Sequence, residues 1–147
     1  MHERLGVPLM DREHAAIERL FADVESLPDE ALPDLFDKAA RELRGHFARE
    51  EAMMAKARAP RLLLHMDLHA RLLAEVEQMR KDIETAPPAT VRELVGTVLP
   101  LMISNHVATE DLATARFLAH QRKSAAADDP PKPSAGAGAG ASRRGRG

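Results

Sequence analysis

Apolar residues recur at helical spacing in four long stretches, and prolines punctuate the gaps between them. The first stretch opens at Asp11, a suitable N-cap, and carries His14, Ile17, Leu20, Phe21 and Val24 on one stripe. Pro28 and Pro33 bracket a short connection, and residues 34–58 form the second stretch, with Leu35, Ala39, Leu43, His46, Phe47, Glu50, Met53 and Met54 on its inner face. After Pro60, residues 61–84 repeat the pattern through Leu62, His65, His69, Leu72, Leu73, Val76, Met79 and Ile83. Beyond Pro87 and Pro88, residues 90–123 do so through Leu94, Val95, Val98, Leu99, Met102, Ile103, His106, Val107, Phe117 and Leu118. Pro100 falls inside this last stretch. It removes a backbone donor and crowds the carbonyl of Gly96, so a kink is expected there, while the continuing apolar pattern argues against a break. Alternating runs and β-branched clusters are scarce. Four amphipathic helices with short connectors predict an all-α fold, an antiparallel up-down-up-down four-helix bundle.

Such a bundle must reconcile its core with an unusual content. Five of the seven histidines, His14, His46, His65, His69 and His106, fall on the inward stripes. Glu50 joins them one turn after His46, and either Glu110 or Asp111 joins them from the last helix. A single histidine there reads as a hydrogen-bonded core residue. Five with two carboxylates, near the middles of four helices, exceed what protein hydrogen bonds can satisfy. The chain has no cysteine, which excludes thiolate sites and leaves imidazole and carboxylate as the strong ligands. Five imidazoles supply five metal bonds, two bridging carboxylates four, and an oxo or hydroxo bridge two. Eleven bonds on two six-coordinate ions leave one vacancy, enough for one small ligand. This donor set suits iron, with manganese and zinc as the alternatives. In a straight helix Glu110 lies about 40° around from His106 and Asp111 about 140°, so spacing alone favours Glu110.

The rest of the chain sets the frame. Its 147 residues are enough for one folded unit, assigned to residues 1–123. Residues 124–147 are rich in Ala, Gly, Pro and Arg and are expected to be a disordered tail. The net charge of −2 argues against nucleic acid as a partner, and the basic tail is read as a solubilising extension. Met1 to Leu20 carry charges throughout, so neither a signal peptide nor a membrane span is expected, and a cytoplasmic location is assigned.

Four motifs together resemble the hemerythrin family, in particular its bacterial single-domain members: Asp11-Arg-Glu-His14, His46-Phe-Ala-Arg-Glu50-Glu51 with Met54 following, His65-Met-Asp-Leu-His69, and His106-Val-Ala-Thr-Glu-Asp111. The likeness spans residues 11 to about 118. It implies that His65, His69 and His106 hold one iron, that His14 and His46 hold the other, and that Glu50 and Asp111 bridge the two. The pairing His65-x-x-x-His69 favours the oxygen-carrying subgroup over the related HHE-type proteins, which would use Glu110, and so assigns Asp111. Oxygen would bind at the two-histidine iron, against an apolar wall of Ile17, Phe47, Met102, Ile103 and Val107. Relatives often carry Trp at the place of Met102. His2 and His120 are assigned no ligand role.

The function that follows is reversible O2 binding, as carrier, store or sensor, at two iron ions bridged by oxo or hydroxo and two carboxylates, and not an enzyme activity. The rival is an HHE-type di-iron protein acting as an oxidase, as an enzyme that handles nitric oxide or peroxide, or as an iron sensor.

Overall fold

In the computed structural model, residues 5–128 are described. Four helices run through them: α1 (Pro8–Phe21), α2 (Leu32–Lys56), α3 (Leu62–Thr85) and α4, a continuous helical rod over residues 88–128. Two short 3₁₀ turns, Val24–Ser26 and Asp29–Ala31, join α1 to α2. Among the described residues there is no strand, and the architecture is the expected all-α four-helix bundle. No helix among them is long and apolar enough to cross a membrane.

The helix ends differ from the sequence reading in ways that local chemistry explains. α1 begins at Pro8, three residues before Asp11, because proline's fixed φ and missing N–H suit the first helical position. Asp11 is therefore not the N-cap. Its carboxylate turns back and accepts the Leu5 and Gly6 backbone N–H groups at 2.7 and 3.1 Å. Gly6, with φ +80°, takes the left-handed conformation that this fold-back needs. Pro33 likewise lies inside the first turn of α2, not in a connection. α2 ends without a glycine: Arg58 holds φ +53°, and the Ala59 N–H closes onto the Met54 carbonyl at 2.9 Å. At the other end of the chain α4 continues five residues beyond the expected stop at Lys123, through Ser124 and three alanines to Asp128. Alanine is the strongest helix former, so this extension needs no packing to explain it. The remaining tail, 129–147, lies outside the described residues, as does His2.

One apolar core runs along the bundle. Leu32, Phe36, Leu43 and Phe47 of α2 meet Ile17 of α1, Val76 of α3, and Val95, Leu99, Ile103 and Val107 of α4. A smaller cluster at the end holding the α1 N-terminus unites Val7, Met10, Ala115 and Leu118. Leu32, Phe36 and Ala40 are buried although the α2 stripe read from sequence omitted them.

α4 is interrupted twice by widened π turns, Leu94–Val98 and Val107–Asp111. The first answers Pro100. The Leu99 N–H donates to the Leu94 carbonyl, five residues back, so the hydrogen-bond register shifts just before the residue that cannot donate. The expected accommodation at Pro100 is thus a π turn within an unbroken helix. The second has no proline to absorb, and the functional site accounts for it.

Candidate metal centre

At mid-bundle, seven ionisable side chains are buried side by side: His14, His46, Glu50, His65, His69, His106 and Asp111. Apart from these, the only buried polar side chain among the described residues is Thr114. All seven are residues singled out from sequence, and they divide into two groups whose ligand-type atoms lie within 4.8 Å of one another. One group is Glu50, His65, His69, His106 and Asp111; the other is His14, His46 and Asp111.

Asp111 belongs to both groups, and its two oxygens face opposite ways. Oδ2 is 2.8 Å from His14 Nε2 and 3.5 Å from His46 Nε2; Oδ1 is 2.9 Å from His106 Nε2 and 3.7 Å from His65 Nε2. Glu50 also spans the pair. Its Oε1 is 3.3 Å from His65 Nε2, while its Oε2 is 3.3 Å from His69 Nε2 and 3.8 Å from His46 Nε2. Both carboxylates are fully buried.

The second π turn is what brings Asp111 here. The Leu112 N–H reaches the Val107 carbonyl, five residues back, and the widened turn places His106 and Asp111 on one face despite their i, i+5 spacing. The Thr109 hydroxyl donates to the Asn105 carbonyl at 2.8 Å and so supplies a partner to backbone in the loosened stretch. Glu110, which straight-helix geometry favours, instead lies at the edge, 26 % exposed and 3.5 Å from Arg61.

The donor atoms fit a metal pair better than they fit each other. Both Glu50 oxygens, His65 Nε2 and Asp111 Oδ1 are buried without a hydrogen bond. Each such orphan costs about 1–3 kcal/mol unless something else satisfies it. The facing nitrogens His14 Nε2 and His46 Nε2 stand 3.2 Å apart, and His69 Nε2 and His106 Nε2 stand 3.1 Å apart. Two imidazoles at right angles on one ion, with bonds of about 2.0–2.1 Å, would stand about 3.0 Å apart. Cations at the two foci would satisfy all of these atoms at once. His65, His69 and His106 with both carboxylates would hold one, and His14 and His46 with Asp111 the other.

Behind the inner ring stand three carboxylates to which the sequence reading gave no role, apart from Glu110 as an alternative ligand. His46 Nδ1–H donates to Glu13 Oε2 at 2.6 Å, and His69 Nδ1–H donates to Glu51 Oε1 at 2.8 Å. Glu110 Oε2 is 4.0 Å from His65 Nδ1. The two that are hydrogen-bonded, Glu13 and Glu51, fix the ring orientation and raise the basicity of the nitrogen that faces the metal. Glu13 precedes His14 and Glu51 follows Glu50, yet each serves a histidine on another helix. Chain adjacency therefore marks them as site neighbours without saying whom they hold.

The two carboxylates are held toward their ionised forms despite burial, and His46 and His65 toward their protonated ones. Burial pushes the Asp111 carboxyl up, but His106, His14 and His46 outweigh it and hold it far below the usual range. Glu50 follows the same pattern: burial raises it, His65 and His69 lower it further. For His46, burial pushes the imidazolium down, while Asp111 and Glu13 bring it above its ordinary value. His65 is likewise lowered by burial and raised more by Glu50.

Of the five wall residues expected from sequence, Ile17, Phe47, Ile103 and Val107 are buried. Phe47 stacks on the His69 ring, with centroids 3.7 Å apart and planes within 6°. Ile17, Ile103 and Val107 line a groove of about 440 Å³ between α1 and α4, together with Leu5, Phe21 and Leu112 and the polar Glu18 and Ser104. Met102 is half-buried and lies outside both the core and the groove; it is one residue from Ile103, hence about 100° around the helix. His120 is exposed and far from the cluster.

The family model for the hemerythrin HHE cation binding domain matches residues 5–118. No curated protein and no solved structure matches the chain.

Proposed function

Because the chain belongs to the hemerythrin HHE cation-binding family, we propose that its buried centre holds two iron ions and binds O2 reversibly. The observation that carries this reading is the asymmetry of the two donor groups around a shared Asp111. Three imidazoles face one focus and two face the other. With Asp111 shared and Glu50 spanning the two groups, the side with fewer donors, that of His14 and His46, would be the one left with an open position.

Iron held there would supply the reversible electron donation on which O2 capture depends. The protein's own contribution is positioning and exclusion. Glu13 and Glu51 hold His46 and His69 in their ring orientations. Asp111 and Glu50 tie α2 and α4 to both donor groups and cancel much of the cationic charge. Ile17, Ile103 and Val107 face the groove beside α1 with hydrocarbon, which keeps water and anions from the two-histidine side. The donor set is rich in histidine, and the sequence has no Glu-x-x-His pair of the kind that carboxylate-rich di-iron bundles use. We therefore read the protein as an O2-binding protein and not an enzyme.

A metal count paired with absorption spectra tests this. Two irons per chain and a coloured form that appears in air and fades under argon are expected. Two irons without any oxygen adduct in rapid mixing would sink O2 carriage and favour an oxidase or an iron sensor.

A further inference from the structure

We infer that Arg49 is a positioning residue for the two-histidine metal site, acting through Glu13 on His46, and that Gly45 leaves the space this requires. The inference rests on the proposed metal centre and goes beyond it to what sets one site apart from the other.

Arg49 Nε donates to Glu13 Oε1, and the other oxygen of the same carboxylate, Oε2, receives the His46 Nδ1–H at 2.6 Å. A guanidinium on α2 thus reaches α1, and α1 returns the contact to an imidazole on α2 three residues before the arginine. Glu13 is 14 % exposed and His46 only 2 %, whereas Arg49 is 49 % exposed. The carboxylate therefore lies between a buried ligand and water. Without a cation on its outer oxygen it would be free to rotate outward and be solvated, and His46 would lose the partner that fixes its ring. The arginine fork satisfies that oxygen in a fixed direction.

Gly45 explains how the guanidinium can lie there. A Cβ at Gly45 would stand 3.0 Å from Arg49 Nη1 and 3.2 Å from Nη2. Glycine in a helix interior is unfavourable relative to alanine. Gly45 lies mid-helix in α2, one residue before His46, and its bare surface is the seat of the guanidinium. The three-histidine side has only a looser counterpart: Glu51 holds His69 with no arginine or lysine paired to it among the described residues, and Glu110, 3.5 Å from Arg61, stands 4.0 Å from His65 Nδ1, beyond hydrogen-bond reach. The reinforced contact belongs to the side that has fewer imidazoles and the proposed open position.

The test uses the full chain, stripped of metal and titrated anaerobically with ferrous iron against a competing chelator. Losing an outer partner of a ligating histidine typically costs about 10–100-fold in metal affinity. Arg49→Leu should weaken one of the two binding steps by about tenfold, the low end of that range, and leave the other within about twofold. Arg49→Lys should recover part of the loss. Gly45→Leu, which occupies the guanidinium's seat, should reproduce it. Glu13→Gln should cost more, and Glu13→Gln with Arg49→Leu should cost no more than Glu13→Gln alone, since both act through one contact. A second arm needs no metal. In the metal-free protein the His46 Nδ1–H proton should give a sharp NMR signal that broadens in Arg49→Leu while the melting temperature stays within a few degrees. Equal weakening of both steps, additive losses in the double variant, or an unchanged His46 proton in Arg49→Leu would overturn the inference. If the wild-type chain takes up fewer than two irons, the di-iron reading fails, and the NMR arm alone decides the Arg49–Glu13–His46 relay.

Discussion

Deleting Ala108 should leave the metal centre in place, although it shortens the helix between two of the proposed ligands. In a regular helix an i, i+5 pair is about 140° out of line and an i, i+4 pair about 40°. The π turn Val107–Asp111 removes the larger misalignment by holding one residue more than an α turn would. Removing that residue should let the turn relax to α geometry with His106 and Asp111 still facing each other. Everything beyond should keep its face too, including buried Thr114, Ala115 and Leu118. Inserting an alanine after Ala108 does the opposite. It turns those residues by a further ~100° and takes Asp111 away from the imidazoles. Exposing Leu118 alone costs about 2 kcal/mol, and leaving buried imidazoles without their carboxylate adds several more. The insertion should therefore destabilise the metal-free chain by about 5–7 kcal/mol and abolish metal binding. The deletion should stay within about 1 kcal/mol of wild type, because Ala108 is exposed. Urea denaturation of the metal-free proteins and a metal count on each measure both quantities. If the deletion is as damaging as the insertion, the extra residue is not what aligns Asp111.

Four further outcomes are expected. Asp111→Ala should abolish the di-iron spectrum and cost about 3–5 kcal/mol by breaking a buried ionic cluster. Glu110→Ala, whose Arg61 partner is largely exposed, should change denaturation by less than about 1 kcal/mol and keep the metals; the reverse result would make Glu110 the ligand. Arg58→Gly should raise stability by about 0.5–1 kcal/mol, since glycine adopts φ +53° without the steric cost that arginine bears; a lower melting temperature would mean that the Arg58 side chain contributes more than its backbone costs. The metal-free protein should have a bounded pH optimum. His46 and His65, raised above 6.5, contribute stability that is complete below that value and is lost as pH rises through their folded pKa values. Asp111 and Glu50, lowered from 3.8 and 4.5, contribute stability that is present above those values and is lost as pH falls further. A melting temperature that climbs steadily from pH 6.5 to 9 would contradict the sign for the histidines.

Much of this could be read in the chain because both the bundle and the cluster obey one periodicity. His14, His46, Glu50, His65, His69 and His106 sit on stripes that an ideal helix turns inward, and all six are buried. Asp111 could not be reached that way. Its placement depends on a hydrogen-bond register that slips by one residue, and only the likeness to known motifs pointed to it. Glu13 and Arg49 were illegible for a different reason. They act across the α1–α2 interface, and nothing in the spacing within one helix reports which side chains meet between two. The first two helices begin earlier than the apolar spacing suggests, at Pro8 and just before Pro33, because proline both ends helices and opens them, and the choice depends on where the preceding backbone goes.

The spread of the cluster along the chain also orders its assembly. His65 and His69 are neighbours on one turn-to-turn step of α3, but His14 and Asp111 are 97 positions apart. Closing that span costs about 1.5 kcal/mol more chain entropy than the 18-residue span from Glu51 to His69. A metal ion can meet the α3 pair early, and the three-histidine focus closes once α4 has docked on α2 and α3, but the two-histidine focus cannot be completed until α1 has docked beside α4. The centre should therefore behave as a latch on a finished topology and not as a nucleus. Iron present during refolding should leave the folding rate nearly unchanged and slow unfolding instead. Release of iron from the two-histidine focus would then wait on the parting of the first and last helices.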